Sequence, residues 1–161
     1  MVGGALVLWL VFRDETLGAA VIALRTATAE AARLGAQITG LESVRLGTAL
    51  YHPHGFAIEI SRGCTGFVGT ALVSLGVLAY PAPARTRMVG IALAVPIFLA
   101  ANLVRLVHLF HLGVAQSAFF HSAHEVLWQV GLILIAVGAW VGWVSWADRG
   151  GVAHPTAKAR S

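Results

Sequence analysis

The sequence predicts an all-α polytopic membrane protein of about four transmembrane helices, with an extracytoplasmic amphipathic helix and a β-hairpin between the first span and the second. Three observations carry that expectation. The 161 residues are 58% hydrophobic and 11% charged, and the mean hydropathy is +0.79, well past what filling a soluble core requires. Long apolar runs are joined by short polar connections. The one long polar stretch contains a segment whose apolar residues recur every second position rather than every 3.6. No Pro/Ser/Gly-rich linker divides the chain, so a single membrane domain over 1–161 is expected.

The elements follow in order. The opening "MVGGALVLWLVF" is apolar over about 12 residues, short of the ~20 that a bilayer core requires. It is expected to be an abbreviated span over 2–13, or one that starts further upstream. No basic region precedes it and Arg13, Asp14 and Glu15 follow directly, which argues against a cleaved signal peptide. From Thr16 to about Gln37, Leu17, Val21, Leu24, Ala31, Leu34 and Ile38 recur at helical spacing, with Arg25, Glu30 and Arg33 on other faces. That pattern predicts an amphipathic helix on the membrane surface. After Gly40 the period changes. Phe56, Ile58 and Ile60 alternate with Ala57, Glu59 and Ser61, and "HPHG" supplies a turn, so a β-hairpin is expected to lead into Cys64. Spans are expected over 65–82, 88–113 and 125–147, each long enough to cross.

Charge sets the topology. The formal charge of +4 is spread thinly, as a topology signal and a headgroup contact rather than a nucleic-acid surface. Arg85 and Arg87 lie in the turn before the third span, and Arg149, Lys158 and Arg160 in the tail over 148–161. By the positive-inside rule both are cytoplasmic. The segment 14–63 and the connection "VAQSAFFHSA" then lie outside. Arg105 stands about 25 Å beyond Met88 at ~1.5 Å per residue, and so also near the outer face of a ~30 Å core. Three reactive side chains, Cys64, Arg105 and His124, are thus expected at one depth from three helices.

Each has a chemistry that suits its place. The single cysteine excludes an internal disulfide and CxxC redox or zinc chemistry. At the N-terminal end of a helix, Cys64 would be favoured as the anion, a nucleophile. Gly66 would allow close approach of a backbone or helix. Arg105 lies inside an apolar run, where insertion costs about 2.5 to 3.5 kcal/mol, so it needs a partner or a task. Beside a thiolate its guanidinium would stabilise the anion and supply donors to an oxyanion, with Asn102 placed to position it. His124 is suited to act as general base and then as general acid. Glu125, its neighbour, points about 100° away on a helix.

"CTGF", then "NLVR" about 40 residues on, then "HEVLWQ" at the last helix, preceded by an alternating hairpin, resembles the exosortase/archaeosortase family of membrane cysteine transpeptidases. The resemblance covers about residues 40 to 147. The family's C-[ST]-G, N-x-x-R and His motifs map onto Cys64, Thr65 and Gly66, onto Asn102 and Arg105, and onto His124. The resemblance implies a Cys nucleophile, an Arg stabiliser and a His acid/base, with no cofactor and no metal. It also implies exported protein substrates carrying a C-terminal sorting tail: a short motif, one transmembrane helix and a basic cluster. The acceptor would be a lipid or surface polymer, and the enzyme would sit in the cytoplasmic membrane with its active site facing outward. Two departures stand out. The spans are fewer than in larger exosortases, and His121, three residues before His124, is a second candidate histidine.

Two other readings compete. His108 and His111, with His121 and His124, form two i, i+3 pairs that would suit a metal or haem. That site would leave Arg105 without a role and place its charge against a cation. A non-catalytic membrane scaffold would assign all three side chains to packing or snorkelling.

Overall fold

The computed structural model describes residues 15–149. The span expected over 2–13 and the tail from residue 150 lie outside them. Contacts divide the chain into two compact units, with the boundary after Thr65.

The first unit is a helix on a small sheet. Helix α1, Glu15–Ile38, is rich in alanine and free of proline, and therefore a strong helix former. It ends where Gly40, at φ +82°, takes the left-handed conformation. The Leu41 amide then reaches Ala36 O at 2.9 Å and the Gly40 amide Gln37 O at 3.0 Å, the paired bonds of a Schellman cap. Strands β1 (Val44–Leu46), β2 (Ala49–Tyr51) and β3 (Ala57–Glu59) follow. They form an antiparallel meander in the order β1-β2-β3, with Leu50 opposite both Arg45 and Ile58. The hairpin expected over Val44–Ser61 is therefore a three-stranded sheet, its first arm folded in two. Gly47, at φ +61°, supplies an earlier reversal that weak alternation before Tyr51 concealed.

The helix presents two apolar faces. Ala29, Ala32 and Ala36 are at most 1% exposed on the side that packs against β1 and β2, where a side chain no larger than methyl allows close approach. The larger residues of the expected stripe point the other way: Leu24 is 37%, Leu34 47% and Ile38 87% exposed. The helix thus carries an exposed apolar ridge on the face turned from the sheet.

The second unit is helical. Helix α2, Phe67–Ala79, has 13 residues, about 20 Å at ~1.5 Å per residue. Its expected span over 65–82 is shortened at both ends. Gly66, at φ +73°, breaks the helical path before Phe67, and Tyr80 is extended (φ −74°, ψ 137°) because Pro81 follows it. Helix α3, Ala84–Val114, has 31 residues. It starts four residues before the expected Met88, so Arg85 and Arg87 lie in its first turns. A short helix α4 (Phe120–Ser122), a π-helical turn over Ala123–Leu127 and helix α5 (Trp128–Arg149) complete the described chain.

Helix α3 and the continuous helical stretch Phe120–Arg149 are long and apolar enough to cross a membrane, and only 33% and 11% of their most apolar windows are buried. Their outward surface is itself apolar: Leu93, Ile97, Ile133, Leu134 and Val137 are all exposed. That is the signature of helices solvated by lipid. Helices α2, α3 and α5 pack on one another through two small clusters. One is Val73, Ala94 and Phe98 with Leu132 and Ala136. The other is Val77, Ala82 and Trp143 with Ile91 and Trp140. Glycine permits both contacts. A Cβ on Gly69 would lie 2.1 Å from Phe98 Cζ, and one on Gly90 2.5 Å from Trp143 Nε1, the small-residue device by which membrane helices approach closely.

Candidate active site

Cys64 lies in a 3₁₀ turn, Arg62–Thr65, that closes the first unit. The turn is drawn by its own backbone: the Cys64 amide donates to Ser61 O at 3.0 Å, and Thr65 Oγ1 donates to Arg62 O at 2.8 Å. Cys64 therefore lies three residues before α2 rather than directly at its N-terminal end, where the span expected over 65–82 had put it. Gly66 interrupts the helix between them, and a macrodipole acts only within about one turn of its end. What the fold places on the sulfur instead is a hydroxyl. Ser61 Oγ donates to Cys64 Sγ at 3.3 Å, an interaction that strengthens as the sulfur takes negative charge.

Gly66 opens the second unit, and its left-handed backbone is held close to α3. A Cβ there would stand 3.2 Å from the carboxamide of Asn102, so the glycine is required both by its φ and by this approach. Asn102 is 2% exposed. One turn on, Arg105 is 7% exposed, and its buried Nε donates to no group among the described residues. A buried guanidinium with an unsatisfied N–H is an energetic debt that an anion or a polar carbonyl would settle.

The π-helical turn carries His124. Such turns insert a residue into the helical path and re-aim its side chains. The His124 ring is half-buried and stacks on Phe120 at 6.2 Å with an 11° interplanar angle. Glu125 turns to His121 instead, at 3.0 Å, and both side chains are more than half exposed. His121 and Glu125 thus form an exposed pair on the surface.

Helices α3 and α5 are joined just beyond these residues. Trp128 Nε1 donates to His108 Nδ1 at 2.9 Å. An indole N–H only donates, so neutral His108 carries its proton on Nε2. His111 Nδ1 lies 2.9 Å from Val107 O. The four histidines of the competing metal reading are accordingly engaged with Trp128, a backbone carbonyl, Glu125 and Phe120. No three His, Cys, Asp or Glu side chains among the described residues are grouped to hold a metal ion, so that reading gains no support.

Of the residues singled out from sequence, the structure places Cys64 and Thr65 in the first unit, and Gly66, Asn102, Arg105, His121, His124 and Glu125 in the second. It brings Gly66 onto Asn102 and pairs His121 with Glu125. Sequence reasoning missed Ser61, whose signal was its position three residues before Cys64, the spacing of one 3₁₀ turn. It also missed Trp128, which carries no sequence signal of pairing with His108.

The family model for transmembrane exosortases matches residues 4–144, which includes every one of these positions. The chain belongs to the transmembrane exosortase family. No curated protein and no solved structure matches it. Exosortases are membrane cysteine transpeptidases acting on exported proteins that carry sorting signals. Membership accounts for the apolar, outward-facing surface of the long helices.

Proposed function

We propose that this exosortase is a cysteine transpeptidase that cleaves the C-terminal sorting tail of exported proteins at the outer membrane face, with Cys64 as nucleophile, Arg105 as oxyanion stabiliser and His124 as general acid/base. The observation that carries the reading is Arg105: 7% exposed, inside an apolar helix, with its Nε undonated among the described residues. A donor left open at that expense suits a negative charge that exists only during reaction.

In the proposed sequence His124 takes the Cys64 thiol proton as the sulfur attacks the scissile carbonyl, forming a C–S bond while the carbonyl electrons move to oxygen. Arg105 and nearby backbone N–H groups stabilise that oxyanion. Collapse breaks the C–N bond, and His124 delivers the proton that the departing amine needs. A thioester remains on Cys64. A nucleophile on a lipid or surface polymer then attacks it as His124 takes its proton; the C–S bond breaks, and His124 returns that proton to the departing sulfur, regenerating the thiol. Attack by water would end in proteolysis. Ser61 would support the thiolate at both ends of the cycle. Thr65, Gly66, Asn102, His121 and Glu125 are assigned supporting roles.

The test compares membrane proteomes of host cells carrying the intact chain or Cys64→Ala, by mapping C-terminal peptides. The expected result is one or more exported proteins that keep a terminal hydrophobic helix only in the variant. Identical C-termini in both, at equal enzyme levels, would overturn the reading.

A further inference from the structure

Arg25 lies on α1, 35 residues from the segment it holds. Its side chain is 19% exposed and its guanidinium forks three ways. Nε donates to the backbone carbonyl of Ile60 at 2.6 Å. The Nη2 group donates to Thr48 Oγ1 at 3.2 Å and to Glu59 Oε1 at 2.7 Å. Ile60 is fully buried, and its amide is already bound to Thr48 O at 3.0 Å. Both polar groups of Ile60 are therefore satisfied, one by the sheet and one by Arg25. The next residue is Ser61, whose carbonyl accepts from the Cys64 amide and whose hydroxyl donates to the Cys64 sulfur.

We propose that Arg25 is a positioning residue for Cys64: by clamping the Ile60 carbonyl and Thr48 it fixes the peptide from which the 3₁₀ turn starts, and so keeps the Ser61 hydroxyl on the sulfur. The proposal deepens the transpeptidase reading and rests on it for the role of Cys64. The geometry makes a sharp distinction within the clamp. Glu59 is 70% exposed, and an exposed ion pair of this kind contributes little. The bond to the buried Ile60 carbonyl has no water to replace it and is charge-assisted. A lysine would keep the charge for Glu59 but not the fork that reaches Ile60 and Thr48 together.

Cys64 is the chain's one cysteine, so thiol alkylation of the full chain in lipid nanodiscs reports on it alone. Iodoacetamide is the probe, and variants Ser61→Ala, Arg25→Gln, Arg25→Lys, Glu59→Gln and the double variant Arg25→Gln/Ser61→Ala are compared near neutral pH. Ser61→Ala is expected to slow alkylation by about 3- to 10-fold, the ordinary net scale of one hydrogen bond. Arg25→Gln and Arg25→Lys are expected to slow it similarly, and the double variant no further than about two-fold beyond either, because the two residues act as one unit. Glu59→Gln is expected to stay within about two-fold of the parent.

Amide exchange gives a second readout: both Arg25 variants are expected to exchange the Ile60 to Thr65 amides faster, while Ala29 to Ala36 stay protected and show α1 intact. Full additivity of the two substitutions, unchanged exchange at Ile60 to Thr65, or restoration by lysine would each overturn the proposal. If Cys64→Ala leaves tail processing intact, the transpeptidase reading fails while these data still judge the clamp.

Discussion

Glu30 is the most strongly perturbed acid among the described residues. It accepts from Arg33, its neighbour one turn along α1, and from Arg45 Nε on β1 at 2.9 Å. Those hydrogen bonds, Arg33 first and Arg45 second, bring its pKa from 4.5 down to about 2. A carboxylate held low in the folded state stabilises the fold above the unfolded value, and that contribution is lost as pH falls. The first unit should therefore lose stability as pH drops from about 4.5 toward about 2. Glu30→Gln should be less stable at neutral pH and should show a flatter dependence across that window. Denaturant unfolding of both proteins at a series of pH values, followed by tryptophan-independent helical signal, measures it; parallel acid profiles would sink the assignment. Arg33, pushed upward by the same bond, stays charged throughout.

Helix contacts carry the next prediction. Gly90 is set against the indole of Trp143, which is 7% exposed and donates to Thr86 O at 3.2 Å. A methyl at Gly90 would meet that buried ring at 2.5 Å, so something must shift to admit it. Gly90→Ala should destabilise the helical unit by about 1–3 kcal/mol, the usual scale of overpacking. Gly131 on α5 has no atom within 4 Å of a Cβ among the described residues, so Gly131→Ala should be neutral or mildly stabilising. Thermal unfolding in nanodiscs compares the two, and equal melting temperatures would refute the contact. The elements themselves were partly legible. Helix α1 spans what its periodicity and alanine content indicated, and α3 starts four residues earlier than expected, with Pro83 suited to precede its first turn. The apolar periodicity did not say which face met the sheet, because a hydrophobicity pattern scores Leu34 above Ala36 although only the smaller side chain fits there.

At the scale of the whole molecule the open question is orientation. Two long apolar helices and the family match place the chain in a membrane, and we propose from Arg85, Arg87 and the basic tail that those ends face the cytoplasm. Cys64 should accordingly react with a membrane-impermeant maleimide on intact spheroplasts. In a Cys64→Ser background, Ser161→Cys should react only after permeabilisation. The reverse pattern would invert the topology and exclude an extracytoplasmic reaction.

Composition and local spacing alone determined the membrane class, the long apolar helices, and the candidate chemistry of Cys64, Asn102, Arg105 and His124. Each of those rests on residue type or on neighbours within a turn or two, which a linear chain displays. Tertiary structure decided the rest. It selected Arg25 from several arginines to hold Ile60, paired His108 with Trp128 and Glu125 with His121, and set Gly66 against Asn102. It also moved Cys64 from a helix end into a 3₁₀ turn with Ser61 on its sulfur. Any of the arginines has donors enough for a carbonyl 35 residues away. Which one reaches it depends on how α1 packs on the sheet, and that packing is a property of alanines whose pattern in sequence is nearly silent.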